Sequence, residues 1–275
     1  MVNLDHTLLS GQTFAFVKAG GGYAGVVDGK PCYVEEARDG LTIRCEPGDD
    51  AFWHSYFDME RDYDTVFSHL ERGDPAALCA RAFPGLRLLK QPIWETVCAF
   101  IISANNHQRR IESIYSAVAR ALGEEKCFKG HQLFSFPSAE RLADAPEEML
   151  RMCGAGYRAR YLTGTARRIA EGFSLDLDSM DYEEALAHLT LLPGIGEKVA
   201  DCVLLFSTRH GIAFPIDVWM ERVLREAYGM QGNKKQIKRQ AQERFGGDAG
   251  LIQQVLFHGA RVGVLSLAGK NRKAI

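Results

Sequence analysis

The stretch Leu191-Leu192-Pro193-Gly194-Ile195-Gly196-Glu197-Lys198-Val199-Ala200-Asp201 lies between two segments with apolar residues at helical spacing, YEEALAHLTLL and EKVADCVLLFSTRH. Pro193 ends the first helix, and the glycines permit a tight turn in backbone conformations closed to other residues. The N–H groups of a turn that opens directly into a helix N-terminus point outward and can bind a phosphate without side-chain charge. The pattern is that of a helix-hairpin-helix, a sequence-independent clamp for a DNA backbone, with Gly194 and Gly196 as the phosphate contacts. By itself it is equally that of a short Pro-Gly link between helices.

Lys198 falls in the first turn of the second helix, where the positive end of the helix dipole disfavours an ammonium. A partly desolvated lysine there can act as an amine nucleophile, whereas a solvated surface lysine would do nothing of the kind. Further on, Phe214-Pro215-Ile216-Asp217-Val218-Trp219 puts a carboxylate at the start of another helix. Such a group can stabilise a developing sugar cation and manage protons. Asp is also a preferred N-cap, and the two roles are compatible.

Outward from this centre, the segments from Pro92 onward carry the helical period, among them WETVCAFIISA, HQRRIESIYSAVARALG, YRARYLTGTARRIAEG, DVWMERVLREAYG and DAGLIQQVLFHGARVGVL. The opening section instead alternates short β-prone runs with turn residues: FAFV at 14–17, YAGVV at 23–27, PCYVEE at 31–36 and LTIRC at 41–45, with Asp-Gly at 28–29 and 39–40. Helices are expected over roughly 51–58, 64–72 and 75–83. The fold class is α+β: a small N-terminal antiparallel β-sheet domain followed by a mainly α-helical domain containing the helix-hairpin-helix. The expected division is 1–88 and 89–275, the second part read as all α, with the active site at their interface. GKNRKAI at 269–275 reads as a basic frayed tail.

Composition narrows the class. Of the 275 residues, 46% are hydrophobic and 25% charged, which excludes a disordered or collagen-like chain. No apolar run approaches a membrane span, and MVNLDHTLLSGQTF lacks the layout of a signal peptide, so an intracellular protein that is not secreted is expected. The seven cysteines include no close CxxC pair, which suggests neither a disulfide framework nor a zinc or iron-sulfur site. Net charge is −2 overall, but residues 1–75 hold fourteen acids against six bases, leaving the remainder net basic and the place where nucleic acid would bind.

Taken together, LPGIGEKVADC and PIDV resemble the helix-hairpin-helix, Gly/Pro-rich loop and aspartate signature of the base-excision DNA glycosylase superfamily. Lysine stands where that family's bifunctional members have it. SGQTFAF at 10–16, FIISANNHQRRI at 100–111, GAGYRARYL at 154–162 and QQVLFHGAR at 253–261 resemble the 8-oxoguanine DNA glycosylases in the same order. The resemblance implies Lys198 and Asp217 as catalytic residues. It implies Gly11 as the carbonyl acceptor for the N7 proton of the oxidised base, Cys202 and Phe257 as its sandwich, and Gln253 as reader of its Watson–Crick edge. It further implies Asn105 as the plug left in the duplex, Tyr157 as a wedge, and Arg110 and Arg158 as donors to the orphaned cytosine. The run Arg151, Arg158, Arg160, Arg167 and Arg168, without an acid over 151–170, suits a DNA-facing stripe. His107 and Trp219 depart from the family pattern and bear on phosphate contacts.

The expected activity is flipping and excision of 8-oxoguanine opposite cytosine, followed by strand cleavage through a lysine Schiff base. No cofactor is expected, although a structural monovalent or divalent cation at the hairpin carbonyls near Ile195 is compatible with the motif. The partner would be double-stranded DNA and the protein a monomer, in the cytoplasm or nucleoid of a bacterium or the nucleus of a eukaryote. Two alternatives differ in class: a non-catalytic helix-hairpin-helix DNA-binding protein, and a monofunctional alkyl-base glycosylase that would form no covalent adduct.

Overall fold

The computed structural model describes residues 2–38 and 40–267, so the expected basic tail and Asp39 of the second Asp-Gly turn lie outside the described residues. A short helix α1 (Leu4–Leu8), which sequence periodicity did not reveal, leads into an antiparallel meander. Its strands are β1 (Phe16–Ala19), β2 (Gly22–Val27), β3 (Lys30–Ala37) and β4 (Gly40–Cys45). The Asp28-Gly29 turn has both residues at positive φ, 51° and 69°, as a two-residue hairpin whose twist matches its strands requires. Helices α2 (Asp50–Tyr56), α3 (Tyr63–Ser68) and α4 (Pro75–Ala82) follow close to the expected places.

The helical part runs through α5 (Ile93–Ser103) and α6 (Gln108–Leu122), then a hairpin of β5 (Glu125–Phe128) and β6 (His131–Phe134). After it come α7 (Ala139–Ala143), α8 (Glu147–Met152), α9 (Ala159–Ala170), α10 (Tyr182–Leu189), α11 (Glu197–Ser207), α12 (Val218–Tyr228), α13 (Lys234–Phe245) and α14 (Ala249–Val262). The β5–β6 hairpin corrects the expectation of an all-α second part, and the reason lies in the sheet. Every residue of β2 is buried. Tyr23 and Val27 pack with Leu4, Leu8, Trp53, Tyr56 and Phe57 on one face. Ala24 and Val26 point to the other, where Phe128 and Leu133 cover them. A sheet face that apolar needs a lid, and the hairpin supplies it.

A single core then joins the two parts, from Phe14 and Tyr63 through the walls of α5, α6, α9, α11 and α14 to Leu267. Glu95 at the start of α5 is buried in this junction, accepting hydrogen bonds from the Asp28 N–H at 2.7 Å and the Tyr115 hydroxyl at 3.1 Å. Among the described residues, no helix is long and apolar enough to cross a membrane.

Candidate active site and nucleic-acid interface

The hairpin forms where the sequence places it, between α10 and α11. Gly194 adopts φ 81°, and a β-carbon there would lie 2.7 Å from Tyr161 on α9, so both backbone and space demand glycine. Gly196 differs from the expectation. It is extended, φ −98° and ψ 176°, and faces open space, so no backbone constraint calls for glycine. What it provides is an unobstructed approach to the N-terminus of α11. Thr165 fixes the turn from outside by donating to the Pro193 carbonyl at 2.9 Å.

Lys198, half-buried in the first turn of α11, holds its Nζ 5.4 Å from the centroid of the Phe100 ring. Phe100 in turn stacks on Phe206, with centroids 5.3 Å apart. Cys202 lies one turn beyond Lys198 on the same face. Burial pushes its thiol up to about 11, the Lys198 charge opposes that rise, and the carboxylates of Asp201 and Asp217 add to it. Lys198 and Asp217 are therefore each within electrostatic reach of Cys202. Asp217 caps α12, its Oδ1 accepting from the N–H groups of Trp219 at 2.9 Å and Met220 at 2.8 Å. Capping and catalysis need not compete, because the cap occupies one oxygen.

The third wall comes from α14. Gln253 is only 4% exposed; its Nε2 donates to the Pro215 carbonyl at 3.2 Å, and its buried Oε1 has no hydrogen-bond partner among the described residues. An unpartnered amide oxygen in a protein interior costs about 1–3 kcal/mol unless something arrives to pair with it. Phe257 follows one turn later. Gly11, at φ 88°, sits against it: a β-carbon there would be 3.6 Å from Phe257 Cε1, 2.8 Å from Arg261 Nη1 and 3.7 Å from Gln108 Oε1. The four expected base-pocket residues thus fall into two adjoining groups, Cys202 beside the lysine and Gly11, Gln253 and Phe257 around α14.

The expected duplex-contacting residues form a separate exposed cluster. Asn105, at φ 53° in the α5–α6 turn, donates through Nδ2 to the Tyr157 hydroxyl at 3.2 Å. Tyr157 is 44% exposed. Arg110 is exposed and its Nη2 donates to the Gly154 carbonyl at 3.3 Å. Arg158 is instead buried beneath this surface, its guanidinium 4.4 Å from the Tyr157 ring centroid. Its Nε donates to the Ala104 carbonyl at 2.8 Å, its Nη2 to the same carbonyl and its Nη1 to that of Ala155 at 3.4 Å. Three of its five N–H groups are so engaged, which leaves one on each Nη to donate to a base. His107, one of the two departures, is the N-cap position of α6 and makes no side-chain cap bond; Trp219 lies under the Arg222 guanidinium at 5.7 Å.

Sequence reasoning overlooked Gln108 and Arg261. Gln108 donates to the Leu9 carbonyl at 3.2 Å and to Glu112 at 2.7 Å, and it accepts from Arg261. Arg261 also lies 5.6 Å from the Phe257 ring centroid. The available signal was spacing: Gln253, Phe257 and Arg261 succeed one another at intervals of four on one face of α14.

Comparison with known proteins identifies the family of the chain. A protein of Methanothermobacter thermautotrophicus described as "Probable N-glycosylase/DNA lyase" is 31% identical over 86% of this chain and 85% of its own. The N-glycosylase/DNA lyase OGG1 of Arabidopsis thaliana is 31% identical over 93% of this chain and 76% of its own. A crystal structure of the Clostridium acetobutylicum 8-oxoguanine glycosylase/lyase, bound to double-stranded DNA with cytosine opposite 8-oxoguanine, superimposes with a TM-score of 0.90. That match has 30% identity and covers 96% of this chain and 93% of the other. Residues 1–97 match the N-terminal domain of 8-oxoguanine DNA glycosylase and residues 98–246 the HhH-GPD superfamily of base excision DNA repair proteins, and the chain belongs to that superfamily, on its 8-oxoguanine glycosylase branch.

Proposed function

We propose that the protein is a bifunctional DNA glycosylase and AP lyase that removes 8-oxoguanine opposite cytosine from duplex DNA. The observation that carries the reading is that Lys198 and Asp217 both act electrostatically on the buried Cys202, while the buried amide of Gln253 donates to the Pro215 carbonyl, two residues before Asp217, and keeps its own oxygen unpaired among the described residues. The flipped base enters between Cys202 and Phe257, Gln253 pairs with its Watson–Crick edge, and the Gly11 carbonyl accepts the N7 proton that guanine lacks. The Lys198 amine attacks C1′ as the C1′–N9 bond breaks, and the departing electron pair stays with the base. Asp217 stabilises the positive charge that develops on the sugar through the oxygen not spent on the cap.

Ring opening gives a Schiff base to Lys198, whose electron sink allows loss of the 2′ proton and β-elimination of the 3′ phosphate. No cofactor enters this sequence. In the duplex, Asn105 fills the vacated space, Tyr157 wedges the stack, and Arg110 and Arg158 donate to the orphaned cytosine. The hairpin N–H groups at Gly194 and Gly196 hold a phosphate, and a cation on the neighbouring carbonyls would reinforce that contact. The protein would work as a monomer wherever the cell keeps its DNA.

The test is incubation of duplexes carrying 8-oxoguanine opposite each of the four bases, with and without borohydride. Release of 8-oxoguanine, fastest opposite cytosine, together with a covalent protein–DNA adduct is expected. Lys198→Gln should abolish the adduct and strand cleavage. An adduct that persists in K198Q refutes the assigned nucleophile. Base release without any adduct in the wild type points to a monofunctional glycosylase, and DNA binding without release to a non-catalytic module.

A further inference from the structure

Arg261 is a charged side chain packed against Gly11 and Phe257 of the proposed base pocket that the reaction described above leaves unused. Three segments distant in sequence hold it there. Its Nη2 donates to Gln108 at the start of α6, and Gln108 is itself fixed by the Leu9 carbonyl and Glu112. Its guanidinium lies 5.6 Å from the ring centroid of Phe257, and its Nη1 would be 2.8 Å from a β-carbon on Gly11. Among the described residues no hydrogen bond takes up Nη1. Arg261 is partly buried, and the carboxylates of Glu112 and Asp217 act on it electrostatically.

The geometry points to Arg261 as a specificity-determining residue that donates from Nη1 to the C8 oxygen of the extruded 8-oxoguanine. This assignment rests on the proposed function and deepens it. In 8-oxoguanine the N7 proton and the C8 oxygen are adjacent, forming one amide-like edge that guanine lacks entirely. Gly11 offers an acceptor for the first half of that edge, and Arg261, packed against Gly11, offers a donor for the second. Neither atom alone reads both halves. The pair also bears on the chemistry. When the C1′–N9 bond breaks, its electron pair passes to N9 and delocalises through the five-membered ring onto the C8 oxygen. A guanidinium at that oxygen stabilises the departing anion, an interaction that strengthens in the transition state and so raises the rate of cleavage.

The experiment measures single-turnover excision by wild type, Arg261→Met and Arg261→Lys on three duplexes. These carry 8-oxoguanine opposite cytosine, 8-thioguanine opposite cytosine, or a preformed abasic site opposite cytosine with borohydride present. Methionine preserves much of the packing over Phe257 and removes the donor. Loss of a charge-assisted hydrogen bond predicts that R261M slows 8-oxoguanine excision by about 10- to 100-fold, with R261K intermediate. Sulfur accepts hydrogen bonds poorly, so the wild type should prefer the oxygen base and R261M should lose most of that preference. Trapping on the abasic duplex should stay within about twofold, since no base is there to contact. The inference is overturned if R261M excises 8-oxoguanine at the wild-type rate, slows both modified bases equally, or loses abasic trapping in parallel. A wild type that traps abasic DNA and releases no 8-oxoguanine overturns the proposed substrate, and this inference with it.

Discussion

Replacing Glu95 with glutamine should make the protein more stable at neutral pH, and the structure gives the size. Glu95 is sealed between the Asp28-Gly29 turn of the sheet and Tyr115 of α6, and desolvation pushes its carboxyl up to about 7 despite the two hydrogen bonds it accepts. An unfolded glutamate titrates near 4.5, so between pH 4.5 and 7 the folded chain holds a proton that the unfolded chain has released. Stability contributed by this group is therefore complete below pH 4.5 and is lost as the pH rises through 7. At 1.36 kcal/mol per pKa unit the loss is about 3 kcal/mol. Glutamine can keep both contacts, its oxygen accepting from the Asp28 N–H and its amide donating to the Tyr115 oxygen, without ever ionising. Urea unfolding of wild type and E95Q at pH 5, 6, 7 and 8 should give a difference that grows by about 1.4 kcal/mol per pH unit up to 7 and then levels. Taking the difference cancels other titrations, such as that of His258, whose imidazole burial depresses to about 4. Parallel curves for the two proteins would refute the argument, because a pH-independent difference cannot come from a proton held only in the folded state.

Two further outcomes follow from the hairpin and its support. Gly194→Ala must accept both φ 81° and a contact 2.7 Å from Tyr161, which should cost about 2 kcal/mol and lower Tm by about 5 °C, whereas Gly196→Ala meets open space and should leave Tm nearly unchanged; calorimetry showing equal effects would contradict the geometry. Lys238 Nζ lies 2.6 Å from the buried Asp201, which also accepts from Tyr182 at 2.6 Å, so Lys238→Met strands a carboxylate behind α11 and should cost about 3–5 kcal/mol in urea unfolding. A loss below about 1 kcal/mol would mean that Asp201 is content as a neutral acid.

Legibility in the sequence followed the range of the interactions involved. Gly194, Lys198 and Asp217 could be read directly, because turn conformation, first-turn position and N-capping are set by residues within a few positions of each other. The four-stranded meander was legible for the same reason, its Asp-Gly turn and period-two alternation being local signals. Helix α1 and the strands β5 and β6 were not, since each is too short to establish a period. The β5–β6 hairpin exists because Ala24 and Val26 need covering by Phe128 and Leu133 a hundred residues away.

The candidate site divides the same way. Chemistry-bearing residue types and their order along the chain came from sequence, and so did Gln253 as an amide without a reason to be in an apolar stripe. Only the folded chain brings Gly11 against Phe257 and Arg261, leaves the Gln253 oxygen unpaired, and turns the Arg158 guanidinium inward onto the Ala104 carbonyl while its neighbour Tyr157 stays outside. Sequence determines what each short segment can do, because propensity, capping and periodicity act over one or two turns. Which segments then share a cleft is decided by packing, since burial rewards any apolar partner of the right shape, however far along the chain it lies.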